Sequence, residues 1–294
     1  MNKFIPTIGI LLLLLIYTSG KQQGQLWQAG DVTAENSFTT DCEGPACDKQ
    51  CNLYAVNFEK QGTIGIVRTD KPAEVFVELP EGSTGNGIRF NTKGEMFVAD
   101  FTGHNILRIN PNTKHVTVFA HNREMNPPND IAISNNNIIF ASDPKWADNT
   151  GPIWRIDSDG STTLLETGMG TTNGIEVSPD DKRLYVNESA QLKVWVYDLD
   201  EKGNVSGKKL FYQFKDHGLD GMRCDADGNL YIARYGKGTI AILAPDGKLL
   251  REVETKGKKT SNVTFGGTDG RTVYVTTQDR RCIESFRSDT KGAR

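Results

Sequence analysis

The chain has 294 residues, 37% of them apolar, and 34 Lys+Arg against 37 Asp+Glu give a net charge of −3. Near-neutral charge argues against a nucleic-acid surface, which needs a concentrated positive face. A single short apolar run excludes a polytopic membrane protein, and no charge-dense or low-complexity stretch predicts extended disorder.

The apolar run stands at the start, where Lys3 precedes the ten-residue stretch Ile8 to Tyr17 and Thr18-Ser19-Gly20 follows. A helix of that length rises roughly 15 Å, about half a bilayer core. The pattern predicts a secretory signal over residues 1–20, hence a secreted or periplasmic protein with no stable membrane insertion after cleavage. Gly20 occupies the place of a lipidated cysteine, so no lipid anchor is expected there. The five cysteines, Cys42, Cys47, Cys51, Cys224 and Cys282, are an odd set that leaves at least one thiol unpaired. Cys47 and Cys51 lack the second ligand pair of a zinc knuckle, so packed small hydrophobes or one local bridge are expected.

From residue 43 the chain repeats itself. Glu43-Gly44-Pro45, Asn86-Gly87-Ile88, Asn129-Asp130-Ile131, Asn173-Gly174-Ile175, Asp220-Gly221-Met222 and Asn262-Val263-Thr264 open successive units of about 42–47 residues. Each opener leads through a turn, such as Asp225-Ala226-Asp227-Gly228, into an aromatic and β-branched run. These runs read as strands: Leu53-Tyr54-Ala55-Val56, Met96-Phe97-Val98-Ala99, Ile138-Ile139-Phe140-Ala141, Leu184-Tyr185-Val186, Leu230-Tyr231-Ile232-Ala233 and Val273-Tyr274-Val275. A third strand follows in most units, for example Ile106 to Ile109 and Ile153 to Ile156, and a fourth in several, for example Val116 to Phe119. Four short strands per unit, six units and no sustained helical period predict an all-β six-bladed β-propeller with four antiparallel strands per blade. The last unit lacks a fourth strand, and residues 25–40 are expected to supply it from the N-terminus, closing the ring without a free edge. A single domain over 21–294 is expected, with a loose tail from about 288.

In a propeller the first strand of each blade lines the central channel, so the openers are expected at its mouth. Glu43, Asn86, Asn129, Asn173, Asp220 and Asn262 are all side-chain oxygen donors. Hard oxygens with moderate negative charge suit Ca²⁺, and the lack of imidazole and thiolate argues against zinc or copper. Asn-Gly and Asp-Gly also form turns, and the period by itself leaves both readings open.

The ordered motifs Glu43-Gly44-Pro45, Pro128-Asn129-Asp130, Thr172-Asn173-Gly174-Ile175, Leu219-Asp220-Gly221-Met222 and Asn262 to Gly267 carry a resemblance. The chain resembles the senescence marker protein/gluconolactonase/luciferin-regenerating enzyme family over residues 43 to about 278. The resemblance implies a divalent ion, often Ca²⁺, bound directly by Glu43, Asn173 and Asp220, with Asn129 ligating directly or through water. It further implies Asp220 as the general base of a lactonase. Asn126-Pro127-Pro128 stands where sugar-lactonase members carry an arginine, which counts against a gluconolactone preference.

Asn86, Asn262, Asp143 and His217 are candidate substrate residues, with Lys145, Trp146, Arg234 and Tyr235 as possible pocket walls. A Ca²⁺-dependent hydrolase opening a small lactone is the first expectation, with no nucleic-acid partner and a monomeric state. Phosphotriester or fluorophosphate hydrolysis at the same site, or a non-catalytic Ca²⁺-stabilised binding propeller, are the alternatives.

Overall fold

The computed structural model describes residues 26–68 and 70–293. The expected signal segment, residues 1–20, lies outside the described residues. In chain order, β1 (Gly30–Asp31) is followed by β2 (Phe38–Cys47), β3 (Leu53–Phe58), β4 (Thr63–Val67) and β5 (Glu74–Glu78), the last four forming blade 1. Blade 2 is β6 (Gly85–Phe90), β7 (Met96–Asp100), β8 (Asn105–Ile109) and β9 (Val116–His121). Blade 3 is β10 (Ile131–Ile133), β11 (Ile139–Ser142), β12 (Ile153–Ile156) and β13 (Thr162–Glu166). Blade 4 is β14 (Thr172–Val177), β15 (Arg183–Glu188), β16 (Lys193–Leu199) and β17 (Val205–Gln213). Blade 5 is β18 (Met222–Cys224), β19 (Leu230–Arg234), β20 (Thr239–Leu243) and β21 (Leu249–Glu254). Blade 6 is β22 (Thr260–Gly266), β23 (Thr272–Thr277) and β24 (Cys282–Arg287), with β1 as its outer strand. All pairs are antiparallel and no helix occurs among the described residues.

The N-terminal closure takes a shorter form than expected. Only Gly30 and Asp31 pair with β24, opposite Ser285 and Glu284, while Phe38 and Thr39 already belong to the inner strand of blade 1. The C-terminal residues make contacts back to blades 5 and 6. Ala293 donates to the Cys224 carbonyl at 3.2 Å, Ala226 donates to Lys291, and Gly292 packs against Phe265.

Apolar residues of the inner strands fill the wedges between blades. One cluster joins Tyr54, Val56 and Ile64 of blade 1 to Ile88, Met96 and Val98 of blade 2, and five more occupy the remaining interfaces. Burying such side chains is worth roughly 1.5–3 kcal/mol each, which makes the interfaces the main stabilising element. Cys42 and Cys224 belong to these clusters, Cys282 is buried beside them, and all five cysteines are unbridged.

Candidate active site

The openers gather as expected at one end of the axis, with one exception. A cavity of about 560 Å³ there is lined by Glu43, Asn86, Asn129, Asn173 and Asp220, one residue from each of blades 1 to 5. Asn262 is not among its walls. Gly87 N–H donates to the Asn129 carbonyl at 2.9 Å, and Gly221 N–H donates to the Ser261 carbonyl at 2.8 Å. Ser261 is therefore the structural equivalent of Asn129, and Asn262 that of Asp130, one layer deeper.

That deeper layer explains the recurring glycines. Four blades carry Gly44, Gly87, Gly174 and Gly221 at this level, whereas blades 3 and 6, which face each other, carry Asp130 and Asn262. A Cβ on Gly87 would lie 2.4 Å from Asp130 Oδ1, and one on Gly221 would lie 1.9 Å from Asn262 Cγ. Gly87, Gly174 and Gly221 have no positive φ, so they are there for space and not for a turn. Register shifts between Gly85 and Ile88, Glu43 and Ala46, and Thr172 and Ile175 are bulges that aim successive residues at the axis.

Across the cleared space Asn262 Nδ2 donates to Asp130 Oδ2 at 3.4 Å, while its Oδ1 accepts the Val263 N–H at 2.8 Å. The same side chain also hydrogen-bonds Glu43. Asn262 is thus a bracket between two carboxylates.

Three acids share this small volume. Burial, reinforced by the Asp130 charge, pushes the Glu43 carboxyl up to about 8, although the Gly44 N–H donates to it at 2.5 Å. Burial and the charges of Glu43 and Asp130 push Asp220 well above the ordinary carboxylate range. Burial also raises Asp130. Such mutual repulsion is what a cation relieves. The neutral donors agree: the buried Asn173 Oδ1 and Asn86 Oδ1 have no hydrogen-bond partner, and Asn173 hydrogen-bonds Asp220. Glu43, Asn129, Asn173 and Asp220 offer hard oxygens of the kind Ca²⁺ takes. Asp220 is held from behind, its N–H donating to Ala233 at 2.9 Å and its carbonyl accepting Asn187 Nδ2 at 2.6 Å.

The remaining candidates divide. Trp146 and Tyr235 line the cavity with Phe101, and Asn86 faces it. Asp143 does not reach it. Its fully buried carboxylate accepts the Asn126 N–H at 2.9 Å and Trp154 Nε1 at 2.8 Å, and so anchors the loop that carries Trp146. Lys145 and His217 are also outside the lining, and His217 stands on the rim with Nδ1 3.6 Å from Asp216. Arg234 is buried over the Phe214 ring at 3.7 Å and paired with Glu252 and Asp216, a structural role. The sequence reading missed Phe101, Gln278 and Asp41 as walls; the first two follow strands β7 and β23 and the third lies in β2, none in a motif.

A second acidic group, Asp31, Cys282 and Glu284, brings its ligand atoms within 4.8 Å of one another. Arg280 donates to Asp31 at 2.6 Å and to Glu284 at 2.7 Å, and Lys256 reaches Asp31 at 2.7 Å. It is the latch of the ring closure.

A six-bladed propeller whose inner strands gather buried carboxylates and amides in one axial pocket is the class that fold and site define. The chain belongs to the SMP-30/gluconolactonase/LRE-like family, whose model matches residues 42–279. A gluconolactonase of Zymomonas mobilis is 32% identical over 215 residues, covering 65% of this chain and 60% of that protein. The diisopropyl-fluorophosphatase of Loligo vulgaris is 25% identical over 282 residues, 85% of this chain and 90% of that one. A calcium-binding protein, regucalcin, of Agrobacterium tumefaciens shares the fold, with a TM-score of 0.79 at 20% identity over 91% of this chain and 97% of its own. The chain spans 60% of the length of the Zymomonas relative and less of several others.

Proposed function

We propose that the protein is an exported, divalent-cation-dependent hydrolase that opens uncharged lactones in the axial pocket. The observation that carries this reading is the convergence of Glu43, Asn129, Asn173 and Asp220 from four blades on one cavity, with repelling carboxylates and an unpartnered amide oxygen. These four residues would hold the ion, and Ca²⁺ is the cation their oxygens suit. When bound, the ion supplies a Lewis acid for the carbonyl oxygen of the ester. Asp220 accepts the proton of the attacking water, and its pinned backbone fixes its position. Asn86 offers its free Oδ1 as acceptor to a substrate hydroxyl.

The lining also supports a substrate class. Asp41, Glu43 and Asp220 are its only charged side chains among the described residues, and Phe101, Trp146 and Tyr235 give it aromatic faces. A lactone bearing a carboxylate, phosphate or sulfonate would find no cationic side chain there, whereas a neutral ring stacks on the aromatic walls. A second reading, hydrolysis of a neutral phosphotriester, draws on the near full-length match to the squid fluorophosphatase and on the same uncharged requirement.

A panel of neutral and anionic γ- and δ-lactones plus one phosphotriester, assayed with chelated and Ca²⁺-refilled protein, tests the reading. Ca²⁺-dependent turnover of neutral lactones, lost in Asp220→Asn, is expected. Turnover of the phosphotriester alone would replace the first reading by the second. Ca²⁺ binding with no turnover at all would make the protein a binding propeller.

A further inference from the structure

Below the pocket the inner strands carry charges that the proposed hydrolysis does not use. Arg89 of β6 reaches Asp130 at 3.2 Å and Glu176 of β14 at 3.5 Å. Arg223 of β18 donates to the carbonyls of Met222 at 2.8 Å, Pro45 at 3.3 Å and Ile88 at 3.4 Å, and so crosses from blade 5 to blades 1 and 2. Glu176 accepts the Cys224 N–H at 3.4 Å. All four of these side chains are buried, and Arg89, Glu176 and Arg223 enclose one small void of about 80 Å³ on the axis.

The charges of the whole axis can be counted. Along it Glu43, Asp130, Glu176 and Asp220 are buried carboxylates, and Arg89 and Arg223 are buried guanidiniums; the buried Arg234 lies off the axis, paired with Glu252 and Asp216. With all four carboxylates ionised, as ligation of a cation requires, two negative charges remain, the charge that one divalent cation neutralises. Buried charge that is not matched is strongly disfavoured, so this surplus selects the ion that fills it. Arg89 is the nearer counterweight: it touches Asp130 at 3.2 Å.

We propose that Arg89, a positioning residue that touches neither ion nor substrate, sets the charge of the axial site so that one divalent cation balances it. This inference rests on the cation site of the preceding reading and not on lactone hydrolysis. Without Arg89 three negative charges remain, and the site becomes over-attractive to Ca²⁺ and better matched to a trivalent lanthanide.

Calorimetric titration of the chelated protein with Ca²⁺ and with Tb³⁺ tests it. Arg89→Met is expected to bind Ca²⁺ roughly tenfold or more tightly than wild type, because a like charge near the ion has been removed. Tb³⁺ should gain by a larger factor than Ca²⁺. Arg89→Lys keeps the charge and should stay within about threefold of wild type. Damage to packing alone would weaken binding, so the sign separates the two roles. Equal or weaker Ca²⁺ binding by a folded Arg89→Met overturns the inference. Should that variant fail to fold even with Ca²⁺ present, Arg223→Met makes the same charge change. Tighter binding there supports the inference, and unchanged or weaker binding overturns it. Wild-type protein that takes up no divalent cation overturns both this inference and the cation site. Wild-type protein that binds Ca²⁺ but hydrolyses nothing leaves this inference standing and removes only the enzyme.

Discussion

At the ring closure Asp31, Glu35 and Glu284 meet Arg280 at 2.6–2.9 Å, and Lys256 joins them at 2.7 Å. At the axial mouth Glu43 and Asp220 have no cationic side chain in hydrogen-bond contact; burial raises both, reinforced by Asp130 for Glu43 and by Glu43 and Asp130 for Asp220. The closure holds Asp31 down at about 2, chiefly through Arg280, while the axis pushes Glu43 up to about 8. Acidic clusters of similar composition thus serve opposite ends. Paired charges tie the first strand to the last, and unpaired charges store a repulsion that the proposed cation would release.

The largest effect separating the two regions is expected from Asp220→Asn. Losing a positioned base should lower kcat by roughly 10²–10⁴-fold. The same change removes a buried charge, so the melting temperature of the chelated protein should rise. A fall in both would show that Asp220 is balanced in the metal-free fold, contrary to the comparison. Arg280→Met is the counterpart at the closure. It strands Glu284, which is 0% exposed, with only the Lys256 and Gly257 N–H groups, and should destabilise the fold by roughly 3 kcal/mol. Ca²⁺ affinity and turnover per folded molecule should be unchanged.

The pH dependence sharpens the contrast. A carboxyl raised to about 8 in the fold binds its proton more tightly there than in the unfolded chain. Its stabilisation is present below the unfolded value of about 4.5 and is lost as pH rises towards 8. The chelated protein should therefore melt at a falling temperature between pH 5 and 8, and saturating Ca²⁺ should flatten that slope. Asp31 has the opposite sign. Its contribution is present above the unfolded value of 3.8 and is lost as pH falls towards 2, with or without Ca²⁺. A metal-sensitive acid limb would break the comparison. The smallest effect is expected at the pocket wall, where Trp146, 47% exposed, should on change to Ala raise KM for neutral aryl or alkyl lactones roughly three- to tenfold and leave kcat alone.

Much of this was legible in the chain by itself. The repeated openers determine six blades, since each unit holds four short strands that cannot bury their apolar faces alone and must stack on the next. The same period sends Glu43, Asn86, Asn129, Asn173 and Asp220 to one mouth, because residues at one phase of a closed repeat share one height on the axis. Tertiary structure alone decided the rest. Asn262 matches the other openers in type, yet a one-residue offset in β22 places it a layer down as a bracket, and no local pattern marks a bulge. The glycines read equally well as turns until Asp130 and Asn262 were seen to need their space. Asp143 and Arg234 read as pocket candidates in the sequence and instead anchor neighbouring structure, whereas Arg89 and Arg223 look like ordinary strand residues and close the axis. The reason is the same in each case. Periodicity specifies which residues face inward, but charge balance and room at the axis depend on all six blades at once.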